Sequence, residues 1–165
     1  LLYVREDIPA KEVSCNSLSD IECILIEINM HNKKWLIYGI YNPDKSLISS
    51  HLSHLSRSLD NYTQYYDNII LLGDFNAEMV DVNLKDFCNL YNLKNLVKEP
   101  TCYKNPLNPS CIDLIITNRP NSFQDTNVIE TGLSDFHKLT VSVMKMFFKK
   151  QKRNQKSDVS KYEKR

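Results

Sequence analysis

An acid and an amide two residues apart, Asp74 and Asn76, close the run Ile-Ile-Leu-Leu-Gly-Asp-Phe-Asn at residues 69–76. Residues 69–72 are all apolar and two are β-branched, which predicts a strand buried on both faces. Residues two apart in an extended segment share a side. The carboxylate and the amide therefore point together from the strand's C-terminal end, where pockets form in α/β folds. Asp74 has the chemistry to accept a proton or orient a water; Asn76 can hold a phosphate oxygen or a metal-bound water. Gly, Asp and Asn are also ordinary turn residues, and a plain strand-to-turn exit accounts for this stretch at least as well.

Asp113 interrupts a second apolar run, Cys-Ile-Asp-Leu-Ile-Ile at 111–116. A carboxylate inside a buried strand is costly unless it meets a cation, a metal, or a histidine whose ring it orients. Leu133-Ser134-Asp135-Phe136-His137 supplies such a partner, in a turn after Gly132 and just before the last strand. An Asp and a His at a strand entrance suit metal binding and stabilisation of transition-state charge. Spaced two apart, Asp135 and His137 would both face the pocket while Phe136 anchors in the core. In the competing reading Asp135 has slipped out of the site. Tyr41, at a strand end before Asn42-Pro43, is a further member of the group.

These residues need elements to position them. Residues 21–28 alternate loosely, with Ile21, Cys23, Leu25 and Ile28 set against Glu22, Glu27 and Asn29, and predict a strand. Residues 35–41 predict a second one, joined to the first through a polar turn as an antiparallel hairpin. After Asn42-Pro43-Asp44, the residues Ile48, Leu52, Leu55, Leu59, Tyr62 and Tyr66 form one helical stripe, with Ser46 or Ser49 as its N-cap. His51 and His54 lie off that stripe and are expected in solvent. Leu84, Phe87, Cys88 and Tyr91 mark a shorter helix. A loop through Pro100, Pro106 and Pro109 leads to a strand at 111–117; shorter strands follow at 128–130 and 139–147. Strands outnumber helices and come in hairpins as well as crossovers, so the class is α+β with helices packed on sheets.

A chain of 165 residues can bury a sizeable core in one domain, and 42% hydrophobic with 25% charged residues excludes a disordered chain. No apolar run is long enough to span a bilayer. Leu1-Leu2-Tyr3-Val4-Arg5 is no signal peptide; it reads as a strand entered midway, which predicts a chain truncated at its N-terminus. The five cysteines are odd in number and show no CxxC spacing, which argues against a disulfide framework or zinc site. Reduced thiols in an intracellular protein, nuclear or cytoplasmic, are the expectation. Residues 149–165 hold eight Lys or Arg against two acids, a net of +6, which leaves −5 on residues 1–148 of a chain whose total is +1. The expected organisation is a domain over 1–147 and a basic tail or linker over 148–165, which either holds a polyanion or simply solubilises the chain.

Gly-Asp-Phe-Asn, then Ser110-Cys-Ile-Asp-Leu-Ile, then Ser-Asp-Phe-His before a terminal strand resembles the endonuclease/exonuclease/phosphatase superfamily. The order and wording are most similar to the apurinic-like endonuclease domain of non-LTR retrotransposons, and Tyr41-Asn42-Pro43 resembles that family's Tyr-x-Pro strand end. The resemblance covers residues 1 to about 146. It implies two packed β-sheets flanked by helices, a four-layer α/β/β/α sandwich of the DNase I-like type, incomplete here at the N-terminus. It implies hydrolysis of a DNA phosphodiester assisted by Mg²⁺, with Mn²⁺ as an alternative, and a reverse transcriptase domain downstream. Asp74 would then orient or deprotonate the attacking water, Asn76 and Ser110 would contact substrate, and Tyr41 would sit beside the scissile group. Asp135 would ligate the metal. His137 would stabilise the pentacovalent phosphate, with Asp113 fixing its ring.

Two departures from the family qualify these roles. The family begins with strands carrying an Asn and a metal-binding Glu, which nothing in this chain replaces. Its Asp and His are adjacent, whereas Phe136 separates them here. The sequence therefore leaves three readings: the C-terminal part of an endonuclease domain, weak or inactive by itself; a catalytically inactive remnant that binds nucleic acid; or a phosphatase of the same superfamily.

Overall fold

The computed structural model describes residues 2–14, 22–30 and 32–145. Strands β1 (Ala10–Glu12), β2 (Glu22–Met30) and β3 (Lys33–Tyr41) come first. Helix α1 (Ile48–Tyr62) then leads to β4 (Asn68–Asp74), and α2 (Val82–Leu90) to β5 (Lys94–Asn95) and β6 (Asp113–Thr117). A final hairpin joins β7 (Phe123–Ile129) to β8 (Leu139–Met144). The first six strands form one sheet in the order β1-β2-β3-β4-β6-β5, and β7 and β8 form a second.

The predicted hairpin is β2–β3, with Glu22 opposite Tyr41 and Met30 opposite Lys33. Asn32 takes the left-handed turn at φ 59°. Helix α1 makes the crossover that lets β4 run parallel to β3, from Trp35 opposite Asn68 to Tyr41 opposite Asp74. Side-chain alternation then builds two cores, one on each face of the large sheet. Leu36, Tyr38, Leu71, Leu114 and Ile116 pack with Leu52, Leu55, Leu59, Leu84 and Phe87 of the two helices. Trp35, Ile37 and Ile70 face the opposite way and meet Phe123 and Met144 of the second sheet. Trp35 and Phe123 contact edge-on, with ring centroids 6.2 Å apart. The fold is thus α+β, two sheets with flanking helices, and β4 is buried on both faces as its sequence predicts.

Several local expectations are corrected. Leu2 to Arg5 is not a strand; pairing starts at Ala10. Neither Ser46 nor Ser49 caps α1. Asp44 instead accepts from the Ser46 amide and caps a single 3₁₀ turn, Lys45–Leu47, that runs into the helix, whose own N-cap, Leu47, offers no side-chain acceptor. His51 is only 7% exposed, so the buried face of α1 is wider than the apolar stripe. Glu27, set with the polar residues of its strand, is buried as well. The strand around Asp113 begins at Asp113, and the strand predicted at 128–130 begins earlier, at Phe123. Ile21 of the first predicted strand, residues 146 and 147 of the predicted last strand, and the whole basic tail from 148 on lie outside the described residues.

Candidate active site

Three predicted residues stand side by side at one end of the large sheet. Tyr41 is opposite Asp74 across the β3–β4 ladder, and Asp74 is opposite Asp113 across β4–β6. All three continue the alternation of Ile37, Leu72 and Ile115, so they share the face turned toward the second sheet. Tyr41 is 47% exposed there. Asp113 opens its strand instead of sitting inside it, and its side chain is partly open.

The turn after Asp74 is held from both sides. The buried Asn42 donates its backbone N–H to the Asp74 carbonyl and its Nδ2 to the Phe75 carbonyl, at 2.8 and 2.9 Å. The Phe75 amide donates to the Ile112 carbonyl. Gly73 has φ +136°, and a Cβ there would meet the Ile40 carbonyl oxygen at 1.9 Å, so no side chain fits. Asn76 follows in the left-handed region at φ 47°, a conformation Asn tolerates. Its backbone N–H donates to Asp74 Oδ1 at 2.8 Å. Gly73 and Asn76 are thus turn residues, and the same turn holds Asp74 in place.

His137 arrives through a segment that sequence reasoning missed. Cys102 bridges Ser110 on one side and His137 on the other. The Tyr103 amide donates to the Phe136 carbonyl at 2.7 Å, and the Lys138 amide to the Thr101 carbonyl at 2.8 Å. Thr101 is fully buried, and its Oγ1 accepts from the Ile112 and Asp113 amides at 3.1 and 3.0 Å. One short stretch, 101–103, therefore ties the backbones of Asp113 and His137 together. Their side chains meet, His137 Nδ1 to Asp113 Oδ2, at 3.4 Å. Cys102 Sγ stands 3.6 Å from the other ring nitrogen, Nε2. The acid that opens β6 does meet a histidine, although its side chain is only partly buried.

Burial, and secondarily the charge of Asp113, push the Asp74 carboxyl above its ordinary range, against the Asn76 amide bond, His137 and Lys104. A raised carboxyl is a stronger base than a free one, as proton abstraction near neutral pH requires. Ser110 is half-buried, pairs through its backbone with Cys102, and lines a cavity beside Asn76. Phe136 is 51% exposed and does not anchor in the core. Asp135 is exposed beside it, and the Ser134 hydroxyl accepts from the Phe136 and His137 amides instead. Among the described residues no three His, Cys, Asp or Glu come together to hold a metal. This donor set does not fit a resident cation by itself.

The fold carries the likeness one step further. The endonuclease domain of TRAS1, a telomere-specific non-LTR retrotransposon, superposes with a TM-score of 0.68 at 18% identity, over 84% of this chain and 67% of that one. The 3′ phosphatase NExo from Neisseria, bound to a product DNA hairpin, gives 0.60 at 16% identity, over 87% and 72%. An endonuclease/exonuclease/phosphatase family protein from Leptotrichia buccalis gives 0.57 at 16% identity, over 75% and 53%. At these identities the likeness shows the fold, and the chain spans between half and three quarters of each structure. None of the curated proteins matches the chain. The family described as endonuclease-reverse transcriptase matches residues 35–140, which take in Tyr41, Asp74, Asp113 and His137. With the two-sheet fold and the acid–histidine pair at its sheet end, the chain belongs to this family, a branch of the endonuclease/exonuclease/phosphatase superfamily.

Proposed function

We propose that this chain belongs to a DNA endonuclease domain that hydrolyses phosphodiesters in the service of a retrotransposon-like protein, with a reverse transcriptase downstream. One observation carries the reading: the Asp113–His137 pair lies at the same sheet end as Asp74, whose carboxyl is raised. Asp74 orients or deprotonates the attacking water. Asn76 and Tyr41 hold the phosphate group. His137, steered by Asp113 at Nδ1, offsets charge on the non-bridging oxygens. The proposal includes a divalent cation, Mg²⁺ or Mn²⁺, with Asp135 as its protein carboxylate. Mg²⁺ is commonly held by one or two carboxylates together with substrate phosphates, so the ion is expected to bind poorly until DNA is present.

A second reading, a phosphatase, is favoured by the likeness to the Neisseria 3′ phosphatase. The deciding assay uses supercoiled plasmid with Mg²⁺, the 165-residue chain, and a version extended upstream. Nicking that EDTA and Asp74→Ala both abolish, stronger in the longer version, supports the endonuclease. Release of phosphate from a DNA 3′-phosphomonoester without nicking selects the phosphatase. DNA retention with neither activity in either version leaves a nucleic-acid-binding remnant.

A further inference from the structure

A cavity of about 220 Å³ adjoins the site, lined by Lys45, Asn76, Lys104, Asn105, Asn108 and Ser110. We propose that it is a subsite for a second phosphate of the same nucleic-acid strand, next to the one being cleaved; this rests on the endonuclease reading. Two walls are shared with the site. Asn76 donates its amide to Asp74, and Cys102, which also lines the cavity, touches His137. An anion in the cavity is therefore one side chain away from the reacting group. The volume falls below the roughly 300–1,000 Å³ of sites that take a whole small molecule. It suits a single group of a longer ligand.

The lining has the chemistry of a phosphate site. Lys45 comes from the turn before α1 and Lys104 from the loop before β6, so two independent elements converge on it. Both are exposed, and neither makes an ion pair among the described residues. Asn105 Oδ1 already accepts from the Leu107 amide, and the Asn105 carbonyl from that of Asn108. These bonds stiffen the loop and leave the Asn105 amide group as a donor. The cavity's carboxylate, Glu78, is engaged through Oε1 by the Cys111 amide. Two lysines and this one acid leave the lining net positive. A small phosphomonoester has no second phosphate to place there, whereas a polynucleotide has one on every neighbouring nucleotide. The cavity thus favours a polynucleotide over a small phosphate ester, whichever phosphate of the strand is cleaved.

The test measures binding of a short linear DNA duplex by fluorescence anisotropy, in EDTA, over a series of salt concentrations. The wild-type chain is compared with the double variant Lys45→Ala, Lys104→Ala and with the arginine pair Lys45→Arg, Lys104→Arg. One lost phosphate contact lowers the slope of log K against log [salt] by about 0.9. We expect that loss in the alanine pair, with a several-fold weaker affinity, and a wild-type slope in the arginine pair. Both lysines are exposed, so unchanged thermal unfolding is expected throughout. An unchanged slope in the alanine pair, absence of DNA binding by the wild type, or displacement of DNA by equimolar inorganic phosphate overturns the subsite; the last outcome marks a free-phosphate site. If the slope changes but no version nicks plasmid, the endonuclease reading fails and the phosphate contact stands. If nicking occurs and the slope does not change, the reverse holds.

Discussion

Glu27 and Asp74 are two carboxylates of one sheet whose surroundings push them in opposite directions. The Glu27 side chain is 6% exposed and accepts from the Tyr66 hydroxyl at 2.7 Å; Lys11 and Lys34 lie at 3.4 and 3.8 Å. That hydroxyl first, and then the two ammonium groups, hold Glu27 below its ordinary range in spite of burial. Asp74 is half-buried, accepts one backbone amide, and has Asp113 as its cross-strand neighbour. Burial and that second acid win, and its carboxyl is raised. Both are shielded acids, yet only the structural one has its charge answered on every side. Groups with shifted titration mark functional sites only when the cause is examined. A lowered carboxylate behind a tyrosine and two lysines stabilises the fold, whereas a raised one is a stronger base than a free carboxylate, which is the property the proposed role of Asp74 requires.

The strongest way to break this comparison is Asp74→Asn. The amide keeps the acceptor for the Asn76 N–H and removes the charge. In an active domain the turnover is expected to fall by a factor of about 10² or more, the usual cost of losing a general base, with DNA affinity little changed. Stability moves the other way. With its folded pKa raised, protonated Asp74 contributes stability that is present below the unfolded pKa and lost as pH rises through the folded one. The variant escapes that loss and at neutral pH is expected to be as stable as the wild type, or about 0.5 kcal/mol more so, by thermal unfolding. Near wild-type turnover would remove Asp74 from the mechanism, and a drop in stability would show that its charge supports the fold.

Thr101→Val tests the scaffold behind the pair. The substitution keeps the shape and strips the acceptor from the Ile112 and Asp113 amides. Each buried, unsatisfied donor costs about 1–3 kcal/mol, so a loss of about 2–4 kcal/mol is expected in denaturant unfolding, most of it restored by Thr101→Ser. Equal stability in the valine and serine variants would show that water replaces the hydroxyl.

Thr101 also shows where the sequence stopped being readable. The β4 strand was legible because an unbroken apolar run with β-branched residues has few other uses, and Asp113 because a charge in such a run demands a partner. His137 followed as that partner. Thr101 and Cys102 carry no such signal. They sit in a proline-bearing loop without periodicity, and they act through backbone bonds to Ser110 and Lys138 and through the Thr101 hydroxyl, which composition does not encode. His51 and Glu27 were misplaced for a related reason. Alternation and helical stripes assign polarity by residue type, whereas burial follows the width of the packed face and the partners met there. The exposed Phe136 belongs to a turn, where the two-residue period does not hold.

A smaller effect concerns coupling. If Asp113 acts by steering His137, Asp113→Asn and His137→Ala in an active domain are non-additive in turnover. The double variant is expected to lose less than the sum of the singles by about 1–2 kcal/mol of activation free energy. Strict additivity would mean that the 3.4 Å contact is incidental to catalysis.

The smallest effect sharpens the structural half of the comparison. Tyr66→Phe keeps the ring in the helix-side core and removes the hydroxyl that contributes most to lowering Glu27. Lys11 and Lys34 remain, so the carboxylate is still partly answered, and the expected cost at neutral pH is about 1 kcal/mol. The sign of the pH dependence distinguishes this from lost packing. Glu27 has a folded pKa below its unfolded value, so it contributes stability above the unfolded pKa, and that stability disappears as pH falls through the folded one. The phenylalanine variant has less of this contribution to lose, because without the hydroxyl burial pushes Glu27 back up. The gap between the two proteins in denaturant unfolding should therefore be widest near neutral pH and shrink as pH falls through the lowered folded pKa of Glu27, below which the carboxyl is protonated in both. A gap that stays constant down to acid pH would make Tyr66 a packing residue and leave the lysines as the reason Glu27 is charged.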